Sequence, residues 1–104
     1  VIIGYIMCRL EKGISNFGFK WVKKGHIVSL AVDEDYRNQG VGKALLEKAI
    51  IEMEKQQAFE QVLEVRTTNY DAIHLYQNSG FHIIKTLKRY YHDGADAYLM
   101  ARKS

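Results

Sequence analysis

The sequence predicts an α/β domain, a central sheet covered by helices. Three observations carry that prediction. Short β-branched and aromatic runs alternate with segments of helical period, in the order strand, strand, helix, strand, helix, strand, strand. A glycine-containing turn leads from the second strand into the longest helix. The chain has 104 residues, which allows one core and one domain, 1–104.

Val1 to Leu10 is apolar and rich in β-branched and aromatic types, with Gly4 as its weak point, and reads as a strand. Glu11 to Gly25 reads as a polar turn region holding Gly13, Asn16, Gly18 and Lys23-Lys24. Its aromatics, Phe17, Phe19 and Trp21, suggest a loop that packs on something. His26 to Val32 is the second strand, with His26, Val28, Leu30 and Val32 on one face. Asp33 to Gly42 is a turn. The helix from about Val41 to Gln57 carries Val41, Leu45, Leu46, Ala49, Ile50 and Met53 on one stripe, with Lys43, Glu47, Lys48, Glu52 and Glu54 opposite. Gln61 to Thr67 is the third strand; Val62, Glu64 and Arg66 share one face, Leu63, Val65 and Thr67 the other. Thr68 or Asn69 caps a short helix from Tyr70 to Ser79, and Gly80 ends it in the left-handed conformation. Phe81 to Lys88 and Ala95 to Ala101 are the last strands, joined by a turn at Asp93-Gly94.

Composition narrows the function classes. Apolar residues make up 47% and charged residues 26%, the globular average, which excludes a disordered chain. Net charge is +3 and scattered, without the basic stripe of a nucleic-acid binder. No apolar run approaches the roughly 18 residues that span a bilayer, and no signal-peptide layout opens the chain, so no membrane is expected. The single cysteine, Cys8, cannot form an internal disulfide, so a reducing cytoplasm is expected; Cys8 itself reads as a buried small residue. His26, His74, His82 and His92 lack zinc-site spacing, so no metal is expected. For His74, His82 and His92 the reading is a surface or structural role.

The most informative stretch is Arg37-Asn38-Gln39-Gly40-Val41-Gly42, between a strand and a long helix. The first turn of a helix carries unpaired amides and partial positive charge, and glycines let an anion approach them. Arg37 and Lys43 add charge, which suits a pyrophosphate. A P-loop is excluded because Ala44 follows Lys43; the dinucleotide fingerprint is excluded because Leu45 stands where its third glycine belongs. The glycines alone leave a second reading open, in which Gly40 makes a turn and Gly42 packs closely.

Arg37-x-x-Gly40-x-Gly42 resembles the Arg/Gln-x-x-Gly-x-Gly/Ala motif of the GNAT acetyltransferase superfamily, and lies between a strand and a helix as it does there. The strand His26-Ile27-Val28-Ser29-Leu30-Ala31-Val32 is similar to the family's strand before that motif. Leu63-Glu64-Val65-Arg66, Asn69, Ala72-Ile73-x-Leu75-Tyr76 and Gly80-Phe81 resemble its second half. Tyr90-Tyr91 followed by Asp93-Gly94-x-Asp96-Ala97-Tyr98 resembles the protein N-terminal acetyltransferases of archaea and eukaryotes, with the bacterial ribosomal-protein-alanine acetyltransferases almost as close.

The resemblance implies a mixed, twisted sheet in which two neighbouring parallel strands splay apart around acetyl-CoA. Backbone groups of Leu30, Ala31 and Val32 then run beside the pantetheine, with the Val32 amide as candidate oxyanion donor. Asn38, Gln39, Gly40, Val41, Gly42 and Lys43, with Arg37, wrap the pyrophosphate. Asn69 hydrogen-bonds the pantetheine arm, caps its helix, or does both. Tyr76 takes the position of the general acid, against the alternative of a core tyrosine. Glu64 and His26 are rival base candidates; Glu64 competes with a Glu64–Arg66 salt bridge, and His26 with a histidine hydrogen-bonded in its strand. Tyr90 and Tyr91 lie in the hairpin that closes over a substrate peptide, or are ordinary hairpin aromatics.

The implied reaction transfers an acetyl group from acetyl-CoA to the N-terminal α-amine of a protein or peptide, ribosomal or nascent chains among them. Other amines, or a non-catalytic acetyl-CoA-binding or auxiliary module, are the alternatives. The family pattern also has a strand, two helices and another strand before the point at which Val1 starts. The expectation is therefore a fold lacking that portion, with an exposed sheet edge that a homodimer or auxiliary subunit would cover.

Overall fold

The computed structural model describes residues 4–33 and 40–104. Among them, β1 (Gly4–Ile14) and β2 (Trp21–Val32) form a long antiparallel hairpin, followed by α1 (Val41–Lys55), β3 (Glu60–Arg66), α2 (Tyr70–Asn78), β4 (His82–Leu87) and β5 (Ala97–Lys103). The sheet order is β1-β2-β3-β5-β4. β2 and β3 are parallel and the other neighbours antiparallel, so the sheet is mixed. The α/β class and the element order match the sequence expectation.

The segment read as a turn region is mostly strand. Glu11 pairs with Lys24, Gly13 with Val22 and Ile14 with Trp21. Its glycines and lysines mask an extended alternation, and cross-strand backbone hydrogen bonds satisfy the chain whatever its side chains are. Only residues 15–20 turn. Ser15 N donates to Lys20 O at 2.9 Å, and Asn16 donates from its backbone and side-chain nitrogens to the carboxylate of Glu60, itself wholly buried. The aromatics expected to pack stay largely in solvent: Phe19 is 97% and Trp21 68% exposed.

A β-bulge divides β2. Met7 pairs with Ser29 but Cys8 with Ile27, so Val28 is the extra residue. The sequence expectation put His26, Val28, Leu30 and Val32 on one face. The bulge reverses the alternation: Leu30, opposite Ile6, packs on the core, whereas His26, opposite Arg9, faces away from it. Cys8 is exposed rather than buried, because β1 is an edge strand.

Both crossovers, β2–α1–β3 and β3–α2–β4, advance the same way across the sheet, and right-handed connections then put both helices on one face. A single core cluster accordingly joins Leu46, Ile50 and Met53 of α1 to Ile73 and Tyr76 of α2, Leu63 and Val65 of β3, Phe81 and Met100. Gly25 admits α1 to the sheet: a Cβ there would stand 2.3 Å from Met53 Sδ. α1 stops at Lys55, two residues before the expected end, and β5 runs two residues later than expected at both ends. Gly80 adopts the predicted left-handed conformation after α2, at φ 91°.

Candidate active site

The parallel pairing of β2 and β3 covers only Lys24–Ile27 and Glu60–Leu63. Past that point β2 continues to Val32 and β3 to Arg66 without pairing to each other. The bulge at Val28 sits where the two strands part. Between them opens a cleft of about 240 Å³, lined by Ile27 to Leu30, Leu63 to Arg66, Asn69, Tyr76 and Tyr91. A groove of about 530 Å³ runs from it along the start of α1, past Leu30, Ala31, Val32, Gly40, Val41, Gly42, Lys43 and Asn69. Leu30, Asn69 and Tyr76 line both.

At the groove's far end α1 begins on Gly40, at φ 77°, a conformation that costs glycine little and other residues more. No side chain caps this terminus, and its first turn holds no acidic residue. The first intrahelical bond is Ala44 N to Gly40 O, so the amides of Val41, Gly42 and Lys43 precede it. These amides and the exposed Lys43 form a donor set suited to an anion. Gly42 is not demanded by packing: a Cβ would lie 3.5 Å from Leu75 and 3.6 Å from Val32, ordinary contacts. Arg37, Asn38 and Gln39 lie outside the described residues.

Asn69 caps α2, its Oδ1 accepting from Ala72 N at 3.3 Å, and the same residue lines both cavities. Tyr76 sits one helical stretch along, buried and edge-on to Phe81 at 5.9 Å between ring centroids. Burial, with a smaller contribution from Tyr91, pushes the Tyr76 hydroxyl above its ordinary pKa, so it keeps its proton at neutral pH.

The two base candidates are not rivals in space. His26 Nε2 lies 2.8 Å from Glu64 Oε1, and His26 Nδ1 lies 2.8 Å from Glu11 Oε1. The hydrogen bond to Glu64 is the main influence raising the His26 pKa; burial opposes it and Glu11 reinforces it. Hydrogen bonds from His26 and Arg9 hold the Glu11 carboxyl below its ordinary value. The Glu64–Arg66 bridge does not form: Arg66 donates to Asp93 at 2.9 Å and lies over the Tyr91 ring, 4.2 Å from its centroid. Sequence reasoning missed Glu11, having placed it in a turn. The alternation Arg9, Glu11 along an extended strand was the available signal.

Tyr90 and Tyr91 stand in the connection between β4 and β5, their rings perpendicular and 5.0 Å apart. Tyr91 lines the cleft, while Tyr90 is half-exposed and lines neither cavity. Asp93 accepts from Ala95 N at 3.0 Å and Asp96 from Arg89 N at 3.0 Å, bonds that shape the connection and lower both carboxyl pKa values. His74, His82 and His92 are exposed. Among the described residues no cluster of His, Cys, Asp or Glu could hold a metal ion, and no helix is long and apolar enough to cross a membrane.

A mixed sheet whose parallel strands part beside a glycine-opened helix is the architecture of an acyl-CoA N-acyltransferase. Residues 1–81 match the model of the acetyltransferase (GNAT) family, and the chain belongs to that family. It is 49% identical over 104 residues to an N-alpha-acetyltransferase of Saccharolobus solfataricus, covering 97% of this chain and 62% of that protein. Among solved structures it resembles the NatC complex bound to Gag peptide and CoA, with a TM-score of 0.90, 32% identity, and coverage of 98% of this chain and 61% of that one. It also resembles the ribosomal-protein-S18-alanine N-acetyltransferase of Escherichia coli, with a TM-score of 0.71, 42% identity, and coverage of 77% and 54%. The chain thus spans about three-fifths of the length of the archaeal relatives it matches.

Proposed function

We propose that the protein transfers the acetyl group of acetyl-CoA to the N-terminal α-amine of a protein or peptide. The observation that carries this reading is the cleft between β2 and β3. Glu64 lines it, the groove continues from it, and Tyr76, whose hydroxyl keeps its proton, lines both. The amides of Val41, Gly42 and Lys43 take the pyrophosphate, and Leu30, Ala31 and Asn69 hold the arm that joins it to the thioester. Arg37, Asn38 and Gln39 complete the pyrophosphate wrap, and the Val32 amide polarises the thioester carbonyl.

Acetyl-CoA supplies an activated acyl group. The amine's lone pair attacks its carbonyl carbon and the C–S bond breaks. Glu64 gains the proton that the amine loses, and Tyr76 gives up the one that the thiolate gains; exchange with solvent restores both. Tyr91, which lines the cleft, lies against the incoming peptide, with the Tyr90 ring packed edge-on to it. Ribosomal and nascent chains are acceptors of this kind, and the exposed apolar residues of β1, such as Tyr5 and Met7, suit contact with a second copy or an auxiliary subunit.

An α-amine has a reference pKa of about 7.7–8.0 and a lysine about 10.4. At pH 7 roughly a tenth of the former is neutral, against well under a thousandth of the latter. The base therefore has little to do for an α-amine, and Glu64→Gln is expected to cost less than about a thousandfold.

The test is mass spectrometry of a mixed peptide set incubated with the protein and acetyl-CoA. The set holds free N-termini of varied first residue, and blocked copies with free lysines. One added acetyl group on the free N-termini alone is the expected result. Acetylation of blocked peptides moves the acceptor to lysine, and no gain on any peptide supports a non-catalytic acetyl-CoA-binding or auxiliary module.

A further inference from the structure

His26 lies between two carboxylates, and its geometry restricts its protonation state. Both ring nitrogens stand 2.8 Å from a carboxylate oxygen, Nδ1 from Glu11 and Nε2 from Glu64. A neutral imidazole has one N–H donor and one lone pair. With both carboxylates ionised, it would aim that lone pair at a carboxylate oxygen at hydrogen-bonding distance. An imidazolium donates to both. The ring is only 14% exposed, so water screens these contacts poorly.

We propose that Glu11 is a positioning residue: its carboxylate, at the outer ring nitrogen, fixes His26 as an imidazolium, which leaves Glu64 rather than His26 to take the acceptor amine's proton. The proposal rests on the acetyltransferase reading for its second half only. As an imidazolium, His26 has no lone pair to offer and acts through Glu64, holding Oε1 by a charge-assisted hydrogen bond. Glu64 lines the cleft; Glu11 and His26 do not. The chain Glu11–His26–Glu64 thus runs from the hairpin to the cleft wall across β1, β2 and β3.

The groups around His26 favour the same state. β1 contributes Arg9 and Glu11, β3 contributes Glu64, and Lys24 shares its face of β2 opposite Glu11. Arg9 is itself paired to Glu11. Tyr90, from the β4–β5 connection, comes within electrostatic range of Glu64 and Arg9, and burial raises its pKa, so it adds no negative charge at neutral pH. The His26 pKa is raised in the fold, in keeping with this balance.

The test has two arms. In the first, the His26 ring is titrated by NMR in the intact wild-type protein, Glu11→Gln and Glu11→Asp. The wild-type midpoint is expected above the ordinary value of about 6.5. Glu11→Gln, isosteric at a part-exposed site, is expected to lower it by about one unit, and Glu11→Asp to restore most of the shift. A wild-type midpoint at or below about 6.5 overturns the proposal whatever the variants do, as does a midpoint that Glu11→Gln leaves unmoved.

In the second arm, kcat/KM of wild type and Glu11→Gln is compared from pH 5.5 to 9 on an α-amine peptide. With the imidazolium as the working form, the two enzymes are nearly equal at the acid end. Glu11→Gln then falls behind by roughly tenfold as the pH passes its lowered His26 midpoint. If neutral His26 were the base, the variant would instead gain on wild type as the pH falls, and the assignment of Glu64 would be overturned. Absence of turnover in the wild type would overturn the acetyltransferase reading and the base assignment with it, while the titration would still decide whether Glu11 fixes His26.

Discussion

The two faces of the sheet are built on different physics. On the helix-covered face the side chains are apolar and shut away: Leu46, Leu63, Phe81 and Met100 are at most 1% exposed. What lines the groove on that face is largely main chain, the amides at the start of α1 and the stretch of β2 past Ile27, which pairs with β1 but not with β3. On the open face the chemistry is carried by side chains. His26 meets Glu11 from 15 positions away and Glu64 from 38 positions away. Arg66 bridges to Asp93 and covers Tyr91. The helix face therefore carries the core that holds the fold together, and the open face carries the hydrogen-bonded ionisable side chains. Tyr76 belongs to both, packed in the core yet lining the cleft.

The comparison breaks first at Phe81. Phe81→Ala removes a fully buried ring from the helix face and is expected to cost about 3–5 kcal/mol of stability, read from denaturant midpoints. A loss under about 1 kcal/mol would mean that the core is not where stability resides. Tyr76→Phe keeps the packing and deletes the proton. It is expected to lower kcat by about a hundredfold to ten-thousandfold with the melting temperature nearly unchanged. Activity within tenfold of wild type would return Tyr76 to a purely structural role.

Asn69→Ala tests a residue that both caps α2 and lines the two cavities. Loss of the α2 cap is expected to cost about 1 kcal/mol, and a rise in KM for acetyl-CoA would separate cofactor contact from capping alone.

The smallest effect is a pH dependence. The His26 pKa is raised by folding, so its contribution to stability is complete below about 6.5 and lost as the pH rises through the raised value. The Glu11 pKa is lowered by folding, so its contribution is complete above about 4.3 and lost as the pH falls through the lowered value. The open-face network is therefore most stabilising between those limits. The melting-temperature gap between wild type and His26→Gln should be widest near pH 5.5 and narrow by pH 9. A gap independent of pH would sever the network from stability.

Much of the fold was legible because it is locally encoded. The stripe Leu46, Ile50, Met53 and the cap Asn69 state their helices within a few residues, and Gly80 states where one ends. The positive φ of Gly40 follows from a glycine at a strand-to-helix turn. These features depend on neighbours in the chain, so sequence alone determined the α/β class, the element order and the glycine at which α1 begins, and it put Tyr76 forward as a candidate donor.

Tertiary structure decided the rest. The hairpin's full length rests on hydrogen bonds between strands, which satisfy backbone groups and so need no distinctive side chains in Glu11 to Gly25. The bulge at Val28 shifts register by one residue, and one residue is enough to carry His26 from the core side to the open side. That shift put His26 between Glu11 and Glu64 and turned two separate base candidates into parts of one chain. Periodicity records which residues alternate along a strand; which of them meet across strands depends on pairing between segments far apart in sequence.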